Sequence, residues 1–519
     1  MTPETAEPDT TGGADHRTTR EDPTAHHQMV DSDGGRPEWI SWAGLGAGLL
    51  AALVVYLLIP AEVGHHARLT GAVAVLMGIW WMTEALPIPA TALLPLIVFP
   101  ALADQPFNSI GGSYGNSIIF LFMGGFMLAL AMQRWNLHRR IALVTVRAMG
   151  TKPAMVIAGF MLATGFLSMW VSNTATAVMM MPIGLSVLGL VATQMTGDED
   201  AEGGDIIRTN FGTALMLGIA YAASIGSLAT IIGTPPNTLL AGYMSDAHDV
   251  TIGFGQWMLV GLPLAVVMLV VCWVLLTKAV FKPEVEEIPG GREMLDREVQ
   301  KLGRMGSGET RVLIIFVTAA LAWVALPLLM DEPPVSDSGI AMIVALLLFL
   351  LPGVGLTGER LLDWDTAQEL PWGVLLLFGG GLALSSQFSA SGLTEWIGES
   401  VSGLQVAAVV MVALAAAGTI FLTEITSNTA TAAAFLPVAG GVAVGVGMDP
   451  LMLAAPVALA ATCAFMLPVA TPPNAIAYGS GYVRIGDMVK GGLWLNLIGM
   501  VLVTLVSMTL LAWVFGVSA

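Results

Sequence analysis

The stretch Ser172-Asn173-Thr174-Ala175-Thr176-Ala177 decides the fold, because it occurs a second time as Ser427-Asn428-Thr429-Ala430-Thr431-Ala432. The two copies are 255 residues apart, and a proline follows eight residues after the central threonine in each, at Pro182 and Pro437. A hexapeptide duplicated together with its downstream proline is very unlikely to arise by chance. The chain is therefore expected to consist of two related halves.

A second duplicated motif follows the first in each half. Gly233-Thr234-Pro235-Pro236-Asn237 corresponds to Ala470-Thr471-Pro472-Pro473-Asn474, at an offset of 237 residues. The shorter offset fits an acidic insertion at residues 197–205, which is found in the first half only. Proline has no N–H and clashes with the preceding helical turn, so each motif predicts a broken helix. We expect the breaks at 233–237 and 470–474.

Composition restricts the class of protein. Apolar residues make up 55 % of the 519 residues and charged residues 11 %, whereas soluble chains carry about 25 % charged residues. This excludes a cytosolic enzyme, a secreted disulfide scaffold and a disordered protein, and apolar runs from Ile40 onward predict a multi-pass membrane protein. The net charge of −18 argues against nucleic acid as a partner. Cys272 and Cys463 lie in separate apolar runs, which argues against a disulfide framework or a zinc site.

Two apolar runs, 153–195 and 403–447, are about twice the length of a membrane span of roughly 20 residues. Each carries its Ser-Asn-Thr motif near the middle, and polar backbone at membrane depth requires surrounding protein or a water-filled cavity. Each run therefore predicts a re-entrant hairpin, with two crossing helices as the alternative. With hairpins and a cytoplasmic N-terminus, only Arg68 of the 20 basic residues lies outside, as the positive-inside rule favours.

The predicted fold is an all-α membrane protein with about eleven transmembrane helices and two re-entrant hairpins. Equivalent segments of the halves then enter from opposite faces, which is the inverted repeat of secondary transporters. We expect a plasma (inner) membrane protein whose parts are a disordered acidic tail at 1–38, a first transmembrane helix at 39–68, a first repeat at 69–282, a cytoplasmic linker at 283–309 and a second repeat at 310–519.

The duplicated motifs contain groups that can bind ions. A hairpin tip exposes helix ends whose backbone groups lack partners, and a helix N-terminus favours an anion. Asn and Ser oxygens with freed carbonyls can coordinate Na⁺, while Thr hydroxyls and Asn amides can donate to a carboxylate. Neither cluster contains Lys or Arg, so helix dipoles and bound Na⁺ must supply the positive charge. Helix capping or kinking is the alternative role for each motif.

Three acids near the spans have several interpretations. Glu424 lies three residues before Ser427 and is expected to organise the hairpin tip, to bind a cation or to be a hydrogen-bonded structural carboxylate. Glu84 is expected at a cytoplasmic helix end, and Glu395 at an interface. The 30 methionines and 14 tryptophans are interpreted as packing or lipid-facing residues, and no cofactor is expected.

These motifs resemble the divalent anion:sodium symporter family, which carries di- and tricarboxylates or sulfate. Residues 462–474, TCAFMLPVATPPN, are similar to its C-terminal signature. They depart from it at Thr462, where the family has Ser, and a second departure follows at Ala477, where it has Val. Residues 80–95 also resemble a family segment, and the similarity covers roughly residues 40–516.

The resemblance implies a homodimer in which a transport domain with both hairpins moves against a scaffold in an elevator-type motion. It implies two Na⁺ sites. The implied ligands of the first are Ser168, Ser172, Asn173 and the Gly233 carbonyl, and those of the second are Thr423, Ser427, Asn428 and the Ala470 carbonyl. The implied substrate-binding residues are Asn173, Thr174, Asn428 and Thr429, with Thr234, Pro235, Thr471 and Pro472 at the broken helices.

The expected function is Na⁺-coupled symport of C4-dicarboxylates such as succinate, malate or fumarate. The expected partners are a dianionic substrate, Na⁺, the lipid bilayer and a second copy of the chain. An exchanger of dicarboxylates or citrate, a sodium:sulfate symporter and a non-transporting sensor remain as alternatives. An enzyme is not expected, because the sequence shows no set of nucleophile, histidine and carboxylate and no metal-ligand spacing. The number of coupled Na⁺ ions stays open.

Overall fold

The computed structural model describes residues 38–196, 208–284, 288, 291–330, 333–355, 358–403 and 406–517. The predicted tail, apart from Glu38, and the acidic insertion at 197–205 lie outside the described residues. Within the described ranges the regular elements are helical, with one isolated β-bridge between Pro352 and Arg360. The expectation of an all-α fold is confirmed.

The helices of the first half are α1 (Glu38–Leu58), α2 (His65–Thr83), α3 (Ile88–Thr91), α4 (Leu94–Leu102), α5 (Phe107–Gly112), α6 (Ser117–Arg134), α7 (Leu137–Ala148), α8 (Pro153–Ser168), α9 (Asn173–Thr196), α10 (Asn210–Ser227), α11 (Pro235–His248) and α12 (Phe254–Val274). The linker contains α13 (Gly291–Lys301). The helices of the second half are α14 (Ser307–Leu329), α15 (Asp337–Leu350), α16 (Trp364–Ala367), α17 (Trp372–Ala390), α18 (Leu393–Val401), α19 (Ala408–Thr423), α20 (Asn428–Gly445), α21 (Leu451–Ala461), α22 (Pro472–Gly479), α23 (Ile485–Val506) and α24 (Ala512–Phe515).

Seven helical segments of the described chain are long and apolar enough to cross a membrane. Their bounds are Ser41–Leu58, Phe107–Arg134, Phe254–Val280, Ser307–Pro327, Trp372–Ala390, Asn428–Gly445 and Ile485–Phe515. Shorter apolar helices include both arms of the first hairpin and the first arm of the second. The structure therefore supports a multi-pass membrane protein, and the expected number of eleven crossings stays a prediction.

The outer surface of α1 is apolar. Leu49, Leu53 and Leu57 are 57 %, 55 % and 65 % exposed, and their spacing of four residues places them on one stripe of the helix. On the opposite side, α1 packs against α2. A stripe of exposed leucines would be unfavourable in water, because more than half of each leucine would stay in contact with it. The lipid bilayer provides the apolar surroundings that this face requires.

Two of the apolar runs contain a bend that hydropathy does not reveal. The run at 113–148 divides into α6 and α7 at Asn136, which has a left-handed φ of 56°. The run at 368–396 divides into α17 and α18 at Gly392, with φ of 78°. Each break leads directly into a short helix that precedes a hairpin. The two halves thus repeat the same order of long helix, short helix and hairpin.

Each predicted hairpin segment consists of two helices joined by a short turn. The first consists of α8 and α9, with a turn at residues 169–172, and the second consists of α19 and α20, with a turn at 424–427. The first arm of each hairpin packs on the first part of a broken helix, since α8 contacts α10 and α19 contacts α21.

The two broken helices have almost the same backbone geometry. Thr234 has φ −143° and ψ 141°, and Thr471 has φ −145° and ψ 149°. Both residues are extended, and a proline occupies the first helical position after each, at Pro235 and Pro472. Proline is well suited to this position, because the N–H that it lacks has no helical partner there. The duplicated motif therefore produces a duplicated structure.

Ion pairs join the segments that were predicted to share one membrane face. Arg147 of α7 lies 2.6 Å from Asp296 of the linker helix α13. Arg134 at the end of α6 lies 2.6 Å from Asp363. A backbone hydrogen bond from Thr366, together with Arg134, lowers the pKa of the Asp363 carboxyl. Helix α7 and the linker helix α13 therefore lie on the same side of the protein.

The closest helix crossing in the first half depends on glycine. A Cβ at Gly226 of α10 would lie 2.2 Å from the carbonyl oxygen of Gly165 in α8. No side chain fits at this separation, so the helices must move apart when one is added.

We expect Gly226→Ala to destabilise the protein by about 1–3 kcal/mol through overpacking. The matched control is Gly418→Ala on α19, where a Cβ would meet nothing within 4 Å; this change should be neutral or slightly stabilising. Thermal unfolding of the purified protein in detergent measures both. Equal melting temperatures for Gly226→Ala and the wild type would contradict the close crossing.

Candidate functional site

The turn of the first hairpin is fastened to the first broken helix. The fully buried Ser168 hydroxyl donates to the carbonyl oxygen of Ala223 at 2.5 Å, and it lies 3.0 Å from Oδ1 of Asn173. Three different oxygens, from a hydroxyl, a side-chain amide and a backbone carbonyl, thus lie together at the tip of the hairpin. Hard cations prefer oxygen ligands of this kind.

The second hairpin repeats this arrangement with a different hydroxyl. Thr423, which is also fully buried, donates to the carbonyl oxygen of Ala461 at 2.9 Å and lies 2.7 Å from Oδ1 of Asn428. Ser168 and Thr423 occupy equivalent positions, 255 residues apart. We call these two groups the first and second oxygen triads: Ser168, Asn173 and Ala223, and Thr423, Asn428 and Ala461.

The carbonyl ligands that the resemblance implied lie at the breaks. Gly233 and Ala470 are buried and immediately precede the extended threonines of the two motifs. A Cβ at Gly233 would lie 2.3 Å from the Ser227 carbonyl oxygen, so this position requires glycine. Ala470 ends a short 3₁₀ turn that begins at Pro468.

Each half of the chain contacts the broken helix of the other half. Thr234 of the first broken helix lies 3.3 Å, between hydroxyl oxygens, from Thr462 at the second. The second arm of each hairpin packs on the far part of the opposite broken helix, since α9 contacts α22 and α20 contacts α11. The four duplicated segments therefore form one packed unit, in which neither half is complete without the other.

The proposed substrate residues differ in accessibility. Thr174 and Pro472 are exposed. A second group is partly exposed: Asn173, Asn428, Thr429 and Pro235. Thr234 and Thr471 are buried, at 2 % and 3 % exposure. Amide and hydroxyl groups of the two Ser-Asn-Thr motifs are therefore accessible, whereas the threonines at the two breaks are buried.

Two of the predicted residues also cap helices. The Ser172 hydroxyl accepts a hydrogen bond from the Ala175 N–H at 3.2 Å, and the Thr471 hydroxyl accepts one from the Asn474 N–H at 3.3 Å. Helix capping, the alternative interpretation of the motifs, thus applies to these two hydroxyls. A capping hydroxyl oxygen retains a second lone pair, so capping and ion binding do not exclude one another.

The asparagine that ends each Thr-Pro-Pro-Asn motif received no role from the sequence. In the first half, the Asn237 side-chain amide donates to the carbonyl oxygens of Leu228 at 3.3 Å and Thr230 at 2.9 Å. Asn237 is 1 % exposed, so these carbonyls have little access to water. The amide satisfies backbone groups that the break releases.

Asn474 does the same in the second half. Its amide donates to the carbonyl oxygens of Ala464 and Leu467, both at 3.1 Å, and its side chain is fully buried. The duplication of this asparagine in the sequence was the signal that could have identified its role as a donor to the carbonyls at the break. Each break therefore carries its own hydrogen-bond donor, three residues after the threonine that starts the motif.

Glu424 has a hydrogen-bonded role. It is 3 % exposed, and its carboxylate accepts from the N–H groups of Phe465, Met466 and Leu467 at 2.7, 2.9 and 3.0 Å. The Asn496 amide of α23 donates a fourth bond at 2.7 Å. Of the interpretations left open by the sequence, the structure supports the hydrogen-bonded structural carboxylate, whose partners lie in the second break and in α23.

We expect Asn474→Asp to lower stability by about 3 kcal/mol, because two buried carbonyls lose their donor and face a carboxylate instead. Thermal unfolding in detergent measures the loss. Asn108→Asp, at an exposed residue of α5, is the matched control and should leave the melting temperature unchanged. Equal melting temperatures for the two variants would contradict the role of Asn474 as a donor to these carbonyls.

Comparison with known proteins agrees with this architecture. The sodium:sulfate symporter transmembrane region matches residues 41–517. The chain is 42 % identical over 475 residues to a Staphylococcus saprophyticus protein named sodium-dependent dicarboxylate transporter SdcS, covering 90 % of this chain and 91 % of that protein. It is 40 % identical over 486 residues to the protein of the same name from Staphylococcus aureus USA300, with 92 % and 93 % covered.

Two solved transporter structures share the fold. The YdaH transporter of Alcanivorax borkumensis superposes with a TM-score of 0.52 at 16 % identity, covering 85 % of this chain and 98 % of that one. MtrF of Neisseria gonorrhoeae gives 0.50 at 12 % identity, with 93 % and 96 % covered. The resemblance seen in the duplicated motifs is confirmed, and the chain belongs to the family defined by the sodium:sulfate symporter transmembrane region.

Proposed function

We propose that this protein couples the entry of Na⁺ to the uptake of C4-dicarboxylates such as succinate, malate or fumarate. The observation that carries the proposal is the pair of oxygen triads at equivalent positions in the two halves. The relatives at 40–42 % identity are named as sodium-dependent dicarboxylate transporters, which favours carboxylate over sulfate and symport over exchange.

In this proposal each triad supplies part of a Na⁺ site. Ser172 and the Gly233 carbonyl complete the first site, and Ser427 and the Ala470 carbonyl complete the second. Hydroxyl, amide and carbonyl oxygens provide neutral ligands, so the bound ion keeps its positive charge. That charge lies beside the N-termini of α9 and α20, which themselves favour an anion.

The dicarboxylate binds between the hairpin tips. One carboxylate meets Asn173 and Thr174, and the other meets Asn428 and Thr429. A second group, Thr234, Pro235, Thr471 and Pro472, forms the rest of the site at the broken helices. A C4-dicarboxylate carries its charges at two ends, as a site with two donor clusters requires, whereas sulfate concentrates its charge at one centre.

Coupling follows from the absence of a fixed cation in the motifs. The hairpin and break segments 153–196, 210–234, 408–445 and 451–479 contain no Lys or Arg. A dianion entering such a site would lose hydration without gaining a counter-charge, which is costly in a low-dielectric interior. Bound Na⁺ supplies that charge, so we infer that Na⁺ precedes the substrate.

The remaining architecture is proposed on the same basis. The face that carries the ion-paired arginines is assigned to the cytoplasm by the positive-inside rule, which also places the N-terminus there. The protein is taken to be a homodimer in the inner membrane, with the unit of hairpins and broken helices moving against a scaffold.

Uptake of labelled succinate into proteoliposomes tests the function. We expect an inward Na⁺ gradient to drive accumulation that an equal K⁺ gradient does not. Equal uptake with both cations would contradict coupling. Uptake that ignores Na⁺ and requires internal substrate would instead identify an exchanger, and inhibition by sulfate but not by malate would identify a sulfate carrier.

We expect Asn173→Ala and Asn428→Ala each to reduce Na⁺-driven uptake at least about tenfold, since each removes a ligand and leaves buried donors unpaired. Asn108→Ala, at an exposed position, serves as the control with unchanged uptake. Full activity in either triad variant would remove that asparagine from the site.

A further inference from the structure

In both halves the hairpin turn accepts hydrogen bonds from the break, but through different groups. In the first half, the Thr230 hydroxyl in the break donates to the carbonyl oxygen of Met169 in the hairpin turn, at 2.5 Å. Glu424 occupies the position equivalent to Met169, 255 residues later. In the second half the Glu424 side chain, and not a backbone carbonyl of the hairpin turn, accepts the hydrogen bonds from the break. The first tie is neutral and the second contains a carboxylate.

The second tie has the form of an ionised group. Three successive backbone N–H groups, of residues 465–467, and the Asn496 amide all donate to Glu424. Both carboxylate oxygens are acceptors, as in an ionised side chain. Such charge-assisted bonds are stronger than those between neutral groups, so the break in the second half is held in one conformation before any ion binds.

A neighbouring helix supports each break through a glycine. A Cβ at Gly261 of α12 would lie 2.4 Å from the Leu228 carbonyl oxygen, and one at Gly492 of α23 would lie 2.2 Å from that of Phe465. One turn from these glycines, the first half has the Trp257 indole donating to Leu228, at 3.1 Å. The second half has Asn496 donating to Glu424. The packing is repeated in both halves, but the charge is not.

Glu424 is the one charged residue of the motif-bearing segments. The sequence at 153–196, 210–234, 408–445 and 451–479 contains no other Asp, Glu, Lys or Arg. It directly follows Thr423, whose hydroxyl belongs to the second oxygen triad. A negatively charged residue therefore directly follows the hydroxyl of the second triad, whereas the equivalent position after Ser168 is the uncharged Met169.

We propose that the two Na⁺ sites are unequal, and that the second binds Na⁺ more tightly and fills first. This inference rests on the proposed function. Glu424 acts as a positioning residue with a long-range charge, not as a ligand, because four donors already occupy its oxygens. Its charge attracts the cation in a low-dielectric interior. Because the break is already ordered, Na⁺ binding costs less conformational entropy.

Binding of ²²Na⁺ to the purified full-length protein, without substrate, tests the inequality. We expect two saturable phases. Thr423→Ala should remove the tighter phase and leave the weaker one, whereas Ser168→Ala should do the reverse. A single phase that both variants reduce equally would overturn the inference and leave the proposed sites intact. Unchanged binding in both variants would contradict the proposed sites themselves.

Glu424→Gln isolates the charge. We expect it to weaken the tighter phase by about tenfold, the order of magnitude for a unit charge removed from roughly 10 Å in a protein interior, and to leave the weaker phase unchanged. The comparison variant is Asn496→Ala, which removes one donor but keeps the carboxylate, and it should weaken the tighter phase less than Glu424→Gln does. Equal weakening of both phases by Glu424→Gln would overturn the role of the charge. If that variant does not fold, the comparison of Thr423→Ala with Ser168→Ala still tests whether the two Na⁺ sites differ in affinity.

Discussion

The structure depends on satisfying backbone groups at two buried helix breaks. A helix that stops inside the protein leaves N–H and C=O groups without helical partners, and a buried group that finds no other partner is costly. Asn237 and Asn474 bond the released carbonyls, and Glu424 bonds released N–H groups in the second half. These side chains complete the hydrogen bonding of the loops, and the proposed function assigns other oxygens near the breaks to Na⁺.

The absence of fixed positive charge gives the site its chemistry. A lysine or arginine would hold a dianion regardless of Na⁺, and transport would then lose its dependence on the ion. In the proposed function, neutral hydroxyls, amides and helix N-termini instead form a site whose affinity for the anion depends on bound cations. The duplicated motifs would then supply two cation positions around one substrate. This links the internal repeat directly to coupling.

Much of the fold was predictable from the sequence, because the motifs are duplicated and contain helix-breaking residues. The hairpin turns and the breaks at Thr234 and Thr471 lie where proline and the Ser-Asn-Thr motifs indicate. The bends at Asn136 and Gly392 were not predicted, since hydropathy stays high across them while only a left-handed φ changes the direction. Hydropathy therefore does not separate the short amphipathic helix after each bend from the long helix before it.

The family resemblance implied the side chains of the triads but not the Ala223 and Ala461 carbonyls that complete them. Ser168 and Thr423 lie five residues before their asparagine partners, a spacing that periodicity alone does not mark as functional. The partners of Glu424 lie 41 to 43 and 72 residues away in sequence. Contacts of that range depend on the tertiary fold, so the sequence left three interpretations of this carboxylate open.

The central claim is that two hairpin tips and two broken helices form one site for Na⁺ and a dianion. A cryo-electron microscopy map of the full-length protein in Na⁺ and succinate tests it most directly. The account predicts an elongated density that joins Thr174 to Thr429, with a compact density beside each oxygen triad. Succinate density away from both hairpin tips, or tips separated by lipid, would contradict it.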